Sequence, residues 1–508
     1  MKKNDKNIIL SIPKVIFDII KKLNASGFEA YIVGGCLRDL MLDRNINDWD
    51  ITTNAKPKDI QKIFQRSVYE NNFGTVGVIT GDKNNALKIV EITTYRLESS
   101  YLDKRHPENI KFADNIEDDL MRRDFTINAM AFSIETSKIL KTKVKVTGKL
   151  IDLYDGLEDL NKKLVRAVRD SNERFNEDAL RMMRAIRFAL QLGFKIEDNT
   201  FGAISKQAKN IKYISFERIR DEFIKIVMSD AGSRAVELLE KSDLLSYIIP
   251  ELMACIGVGQ NLHHIYTVYD HLINSFDYAV KQDYSLEVRL ASLFHDIGKP
   301  MSKKGEGKNS TFYNHEIISA TITKKILERL RFPSYISDKV VLLVKNHQFY
   351  YDPEINTDSS IRYLLSNVKK ENILELSQLR EADRIGSGCP KALPFRLRHF
   401  LFRVEKVLNE MENKNLNLKT LKIDGDKLMK LLDINPGPRL GFILNILLSD
   451  IIGDLKLNTV KYLNTRAKEL NELNDLKLKA LNDKSKIIYK ELIEKEEEKI
   501  KKKYGVYK

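Results

Sequence analysis

The stretch Ala30-Tyr31-Ile32-Val33-Gly34-Gly35-Cys36-Leu37-Arg38-Asp39, followed by Asp48-Trp49-Asp50-Ile51-Thr52-Thr53, decides how this chain is read. Ala30–Val33 reads as a short strand. Leu37, Leu40 and Met41 recur at i, i+3 and i+4 as on one helix face, and Trp49–Thr53 is β-branched and alternating. Two glycines between strand and helix let the backbone turn sharply at Gly35 and approach a ligand closely. The helix that follows turns free N–H groups outward, and Arg38 adds a fork-shaped cation suited to phosphate. Such turns are common without a ligand, and the two aspartates give this one its meaning. On a strand, Asp48 and Asp50 face the same side. Paired carboxylates repel unless a divalent cation lies between them, and magnesium takes carboxylate and phosphate oxygens together.

Further strands are expected at Val76–Thr80 and Lys88–Tyr95, which makes the region a small mixed sheet with a helix. Glu91, in the second of these, has two readings. It completes a carboxylate set with Asp48 and Asp50, or it pairs with Arg96. No proline occurs between Pro107 and Pro250, and from about Asp159 onward that span has helical periodicity. Prolines at 300, 333, 353, 390 and 394 cut a second helical region into shorter pieces. The chain beyond Pro438 ends in a Lys/Glu-rich run, read as a solvated helix with i, i+4 ion pairs in preference to an RNA-binding arm.

The totals bound the function class. A chain of 508 residues is expected to hold three or four domains. A net charge of +14 and a pI near 9.2 suit a polyanionic partner. Cys36, Cys255 and Cys389 lie far apart, so neither disulfides nor a thiolate zinc site is indicated. No apolar run spans a bilayer, and Ile8–Leu10 is too short for a signal peptide, so no membrane association and a cytoplasmic location are expected.

Gly-Gly-x-Leu-Arg-Asp followed by Asp-x-Asp resembles the head motif of class II CCA-adding enzymes and bacterial poly(A) polymerases, of the polymerase-β-like nucleotidyltransferase superfamily. Arg122-Arg123-Asp124-Phe125-Thr126-Ile127-Asn128-Ala129 resembles the second motif of that family. The resemblance implies that Arg123 and Asp124 hold the phosphates and ribose of a nucleotide, with Arg122 beside them. Glu177-Asp178-Ala179-Leu180-Arg181 resembles the motif that selects bases without a template. Asp178, Arg181, Arg184 and Arg187 form one slowly drifting helical stripe. An aspartate accepts from the exocyclic amine shared by cytosine and adenine, and an arginine donates to their ring acceptor. The resemblance therefore implies that Asp178 and Arg181 read the base, with Arg184 and Arg187 near the nucleotide or primer. The plain alternative is a set of ordinary intrahelical ion pairs. Ile214-Ser215-Phe216-Glu217-Arg218-Ile219 resembles a helix-capping element with a structural role, and Tyr101–Pro107 resembles the loop of complete CCA-adding enzymes.

Six of the eight histidines lie from His263 to His347. His271 and His295-Asp296-Ile297-Gly298-Lys299-Pro300 resemble the signature of HD phosphohydrolases, with Asp383 as the closing aspartate and His315 and His347 as extra ligands. Such a donor set suits manganese, iron, cobalt or nickel and activates water against a phosphoester.

The resemblance implies an α+β chain. A nucleotidyltransferase head with a small mixed sheet takes 1–148, and a helical neck that selects nucleotides and binds RNA takes 149–250. An HD domain takes 255–395 and a helical tail 396–508. The implied reaction is metal-dependent addition of CCA to the 3′ end of tRNA from CTP and ATP, with Mg2+ on Asp48 and Asp50. Three alternatives stay open. One is a poly(A) polymerase, and another is an HD phosphohydrolase whose N-terminal half only binds RNA. The third is an alarmone-type enzyme, which joins the same two modules in the opposite order.

Overall fold

The computed structural model describes residues 6–69, 74–98, 110–140, 143–261, 265–388, 394–413 and 421–506. Tyr101–Pro107 and Cys389 lie outside them. The chain forms two compact units, Met1–Lys345 with Ala382–Gly388, and Asn346–Glu381 with Cys389–Lys508. The fold is α+β.

The first unit opens with ten strands: β1 (Lys6–Pro13), β2 (Ala30–Val33), β3 (Asp50–Thr53), β4 (Ser67–Tyr69), β5 (Thr75–Ile79), β6 (Ile89–Thr94), β7 (Arg96–Glu98), β8 (Ile110–Phe112), β9 (Met130–Ile139) and β10 (Lys143–Asp152). Eight of them form one mixed sheet in the order β1-β10-β9-β2-β3-β6-β5-β4, while β7 pairs with β8. Ile32 of β2 lies between Ile51 of β3 and Phe132 of β9, all fully buried, which locks the register at the centre of the sheet. The helix Lys14–Ala25 packs against β1, β2 and β10 through Ile16, Phe17, Ile19, Ile20 and Leu23. Each of these apolar side chains contributes about 1.5–3 kcal/mol on burial. The β9–β10 ladder shifts register at Thr147/Gly148, where a Cβ on Gly148 would stand 1.8 Å from the Ser133 carbonyl oxygen.

β3 and β6 run parallel, with Asp50 opposite Glu91. Partnered residues on adjacent strands share a face, so the two acids stand on the same side of the sheet. The helix Gly34–Met41 begins at the first glycine of the turn, three residues before the apolar spacing marks it.

Beyond β10 the first unit is mainly helical. The helices that matter below are Ser171–Glu177, Leu180–Leu192 and Phe216–Val227, then Val268–Lys281, Leu286–Phe294 and His315–Arg329. The second unit packs Gly425–Leu432, Pro438–Gly453, Val460–Asn471 and Asp475–Tyr504 around Leu428, Ile443, Leu447, Ile451, Leu463 and Leu478. Its last helix carries the expected i, i+4 pairs Lys490–Glu494 and Lys501–Glu497. It is not merely solvated, because it buries Leu478 and Asn482 and ties Lys503 to Glu405 at 2.7 Å. No helix among the described residues is long and apolar enough to cross a membrane.

Candidate active site

Gly34 has φ +71°, in the left-handed region that favours glycine. A Cβ there would lie 2.9 Å from Arg123 Nη1 and 3.4 Å from Asp50 Oδ2, so the turn brings bare backbone up to both groups. Gly35 is less confined, since its Cβ would meet Arg38 at 3.6 Å. Asp48 lies exposed just before β3 and Asp50 opens the strand, with buried Trp49 between them pointing the other way. Burial pushes the Asp50 carboxyl above its ordinary value; Arg123 pulls it down, and Asp48 adds to the rise. Beneath the turn, Cys36 accepts the Asp50 N–H at 3.4 Å and donates to the Val33 carbonyl at 3.0 Å. A buried carboxylate that gains by pairing with a cation, with a second one two residues away and oxygen donors only, fits magnesium.

Arg38 is buried. Its Nε and Nη2 grip Asp39 at 2.8 Å each, and Nη1 donates to Asn128 Oδ1 at 2.8 Å. It therefore ties the glycine turn to the 122–129 segment. Asp119 is fully buried and holds both neighbouring arginines, Arg122 at 2.6 Å and Arg123 at 3.0 Å. Burial opposes ionisation of Asp119, and the two guanidinium groups outweigh it and hold the carboxyl below its usual range. Asp124 takes Arg184 Nε at 2.8 Å and Nη2 at 2.6 Å on Oδ2, and Asn128 at 3.3 Å on Oδ1. Burial again works against the charge, and Arg184 leads the groups that hold Asp124 at about 2.

The helix Leu180–Leu192 presents its charged stripe to other elements. Arg181 donates to Glu177 Oε2 at 2.6 Å and to the Arg122 carbonyl at 3.1 Å. Arg184 reaches Asp124, and Arg187 Nε meets Glu222 Oε2 at 2.9 Å. Asp178 accepts the Leu180 N–H at 3.0 Å on Oδ1 and Arg218 at 2.7 Å on Oδ2. The stripe is thus knit mainly to the head segment and to the helix Phe216–Val227, with one local pair, Arg181–Glu177.

A second cluster lies farther along the same unit. His271 Nε2 stands 3.0 Å from His295 Nε2, 3.2 Å from Asp296 and 3.2 Å from Asp383. His315 Nε2 is 3.1 Å from the other Asp296 oxygen. All five side chains are buried. Carbonyl oxygens of Ser292 and Phe312 face Nδ1 of His295 and His315 at 3.0 and 2.7 Å, which puts the proton on Nδ1 and the lone pair on Nε2. Donors about 2.1 Å from one ion and at right angles to each other are about 3.0 Å apart, so the spacing and the mixed nitrogen–oxygen set fit a transition metal. Burial draws the His271 pKa down, yet Asp296 and Asp383 raise it to about 9. Lys299, also buried, meets Asp296 at 2.5 Å and Gln260 at 2.6 Å. His347 is buried too and falls in the second unit.

Sequence reasoning passed over Asp119, Asn128, Arg218 and Glu222. Asp119 had a signal, since it stands three and four residues before Arg122 and Arg123 on a helix end. Asn128 and Arg218 fall inside segments already singled out, but Arg38, the long-range partner of Asn128, and Asp178 and Arg187, the partners of Arg218 and Glu222, lie 35 or more residues away.

Residues 30–166 match the poly A polymerase head domain, 193–256 the probable RNA and SrmB-binding site of polymerase A, and 268–387 the HD domain. The three matches follow one another along the chain in the order head, binding region, HD domain. Curated proteins that it resembles include CCA-adding enzymes. It is 42% identical to that of Lactobacillus helveticus over 227 residues, 44% of this chain and 53% of the relative. It is 46% identical to that of Enterococcus faecalis over 211 residues, 41% of this chain and 48% of the relative. The chain spans about half the length of the curated relatives it matches. A crystal structure of the Bacillus stearothermophilus CCA-adding enzyme in complex with CTP aligns with TM-score 0.53 and 25% identity, over 90% of this chain and 97% of that one.

Proposed function

We propose that the chain adds CCA to the 3′ end of tRNA from CTP and ATP, using the glycine turn, Asp48 and Asp50 as its transfer site. The observation that carries this reading is the pair of bonds from Arg181 to the Arg122 carbonyl and from Arg184 to Asp124. They fasten a base-reading helix directly to a phosphate-binding segment, so base and triphosphate are gripped by one rigid body. Asp48 and Asp50 would hold magnesium, which would supply positive charge for the triphosphate and lower the pKa of the terminal 3′-hydroxyl. Arg123, steered by Asp119, meets the phosphates, and Asp124, whose oxygens already take Arg184, Asn128 and the Phe125 N–H, holds that segment in place beside the nucleotide. Glu91, on the Asp50 face of the sheet, assists the attacking hydroxyl. Asp178 accepts from the amine of cytosine or adenine and Arg181 donates to the ring nitrogen, while Arg187 borders the primer. Guanine and uracil, with carbonyls in place of the amine, are refused because a carboxylate cannot donate to them. The reaction belongs in the cytoplasm, in keeping with the free thiols of Cys36 and Cys255.

The test is a tRNA transcript lacking CCA, incubated with Mg2+ and with CTP and ATP singly and together. Three added nucleotides, only with both triphosphates, are expected. A long ladder with ATP alone would make the chain a poly(A) polymerase. The His271, His295 and Asp296 donors, with Asp383 3.2 Å from His271, support a second, separate activity, metal-dependent hydrolysis of a phosphoester with Mn, Fe, Co or Ni.

A further inference from the structure

The segment Ile214–Ile219, read from sequence as a structural cap, delivers Arg218 to Asp178. Ser215 precedes the helix Phe216–Val227 without making a side-chain cap bond. Arg218, in the first turn, donates from Nη2 to Asp178 Oδ2 at 2.7 Å, with side-chain exposures of 34% and 17%. Glu222 stands one turn later on the same face and takes Arg187. Two pins, four residues apart, thus run from one helix to the base-reading segment. The far end of that helix is held as well. Arg289, buried, donates to the Val227 and Ser229 carbonyls at 3.2 and 3.3 Å.

We propose that Arg218 is a specificity-determining positioning residue, which fixes the Asp178 carboxylate in the plane where it can accept from a base amine. Resting on the base-reading role given to Asp178, this goes beyond the two residues that touch the base. Each carboxylate oxygen accepts two hydrogen bonds. The Leu180 N–H on Oδ1 and Arg218 on Oδ2 fix the group from both ends and leave it capacity for the substrate. Without Arg218, Asp178 turns about its own side-chain bonds and the amine is no longer demanded. A carboxylate free to turn aside tolerates a carbonyl, so uracil and guanine enter.

The test is steady-state addition to tRNA lacking CCA by the full chain, with kcat and KM measured separately for CTP and UTP, and for ATP and GTP on tRNA lacking only the final A. Arg218→Ala is expected to lower the CTP-over-UTP ratio of kcat/KM by roughly ten-fold or more, with kcat for CTP falling by a smaller factor. Arg218→Lys is expected to restore part of the ratio. Arg218→Gln, which keeps length and loses charge, serves if the alanine variant fails to fold. Asp178→Ala is run alongside. If it blurs selection and the Arg218 variants do not, the positioning role is overturned while the base-reading role stands. A uniform fall of kcat for all four nucleotides at unchanged ratios also overturns it, as a purely structural effect. Wild-type selection in Asp178→Ala overturns both.

Discussion

Arg184 and Asp124 meet over sixty residues of sequence, with both Nε and Nη2 of the arginine on one carboxylate oxygen, at 2.8 and 2.6 Å. The contact binds the helix Leu180–Leu192 to the segment after Arg123. It joins the helix proposed to read the base to the segment proposed to hold the phosphates, and it also fixes a charge in a buried place.

That charge makes stability depend on pH. Asp124 has a folded value of about 2 against an ordinary 3.8. Its contribution, about 2 kcal/mol, is therefore full above pH 4 and is lost as pH falls through 2. Asp124→Asn is expected to be less stable than the parent at pH 7, with the gap narrowing steadily below pH 4. Thermal midpoints of both proteins from pH 7 to pH 2.5 check this; a constant gap would contradict it.

Asp50 is the opposite case. Burial raises its pKa and Arg123 offsets this only in part, so the charged form is held at a cost that a bound cation would lower. In chelator, Asp50→Asn is expected to raise the thermal midpoint, and with Mg2+ present to abolish nucleotide transfer. A variant less stable than the parent in chelator would show that Asp50 is already satisfied by protein groups.

At Gly34 both the backbone and the space are restrictive. Gly34→Ala places a Cβ 2.9 Å from Arg123 Nη1 at φ +71°, and the strained conformation costs about 1–3 kcal/mol. Arg123 must give way, so KM for the triphosphate is expected to rise sharply. Gly35→Ala is expected to be milder, with its Cβ 3.6 Å from the Arg38 guanidinium. Equal kinetic defects in the two variants would argue against the close approach.

Much of this site was legible in the chain because it is built from short segments. Ala30–Val33 appears as expected, and β3, β5 and β6 differ from the expected bounds by one residue at each end where they differ. The β9–β10 ladder was hidden. β9 buries only its first three residues, Ser133 and Ile134 are half-buried and the rest is exposed, so no clean alternation marks it. β1 is an edge strand whose pairing with β10 spans more than a hundred residues. The stripe of Asp178, Arg181, Arg184 and Arg187 could be drawn from helical spacing, but its partners could not. Asp124, Arg218 and Glu222 are chosen by tertiary packing, and local ion pairing would have predicted different ones.

Metal removal separates the two sites. The His271 cluster holds nitrogen and oxygen donors together, while the Asp48–Asp50 pair offers oxygen alone. His295→Ala and Asp383→Ala each delete one donor. They are expected to lose transition-metal affinity by more than the roughly 10–100-fold that loss of an outer hydrogen-bond partner costs. Phosphoester hydrolysis should vanish with the metal. Nucleotide addition in Mg2+ should persist, because neither residue lies in the head. Elemental analysis of the purified variants, with both assays run on the same samples, checks this. Full metal content in Asp383→Ala would remove that residue from the ligand set. Loss of CCA addition with hydrolysis in both variants would mean that the cluster supports the head instead of acting by itself.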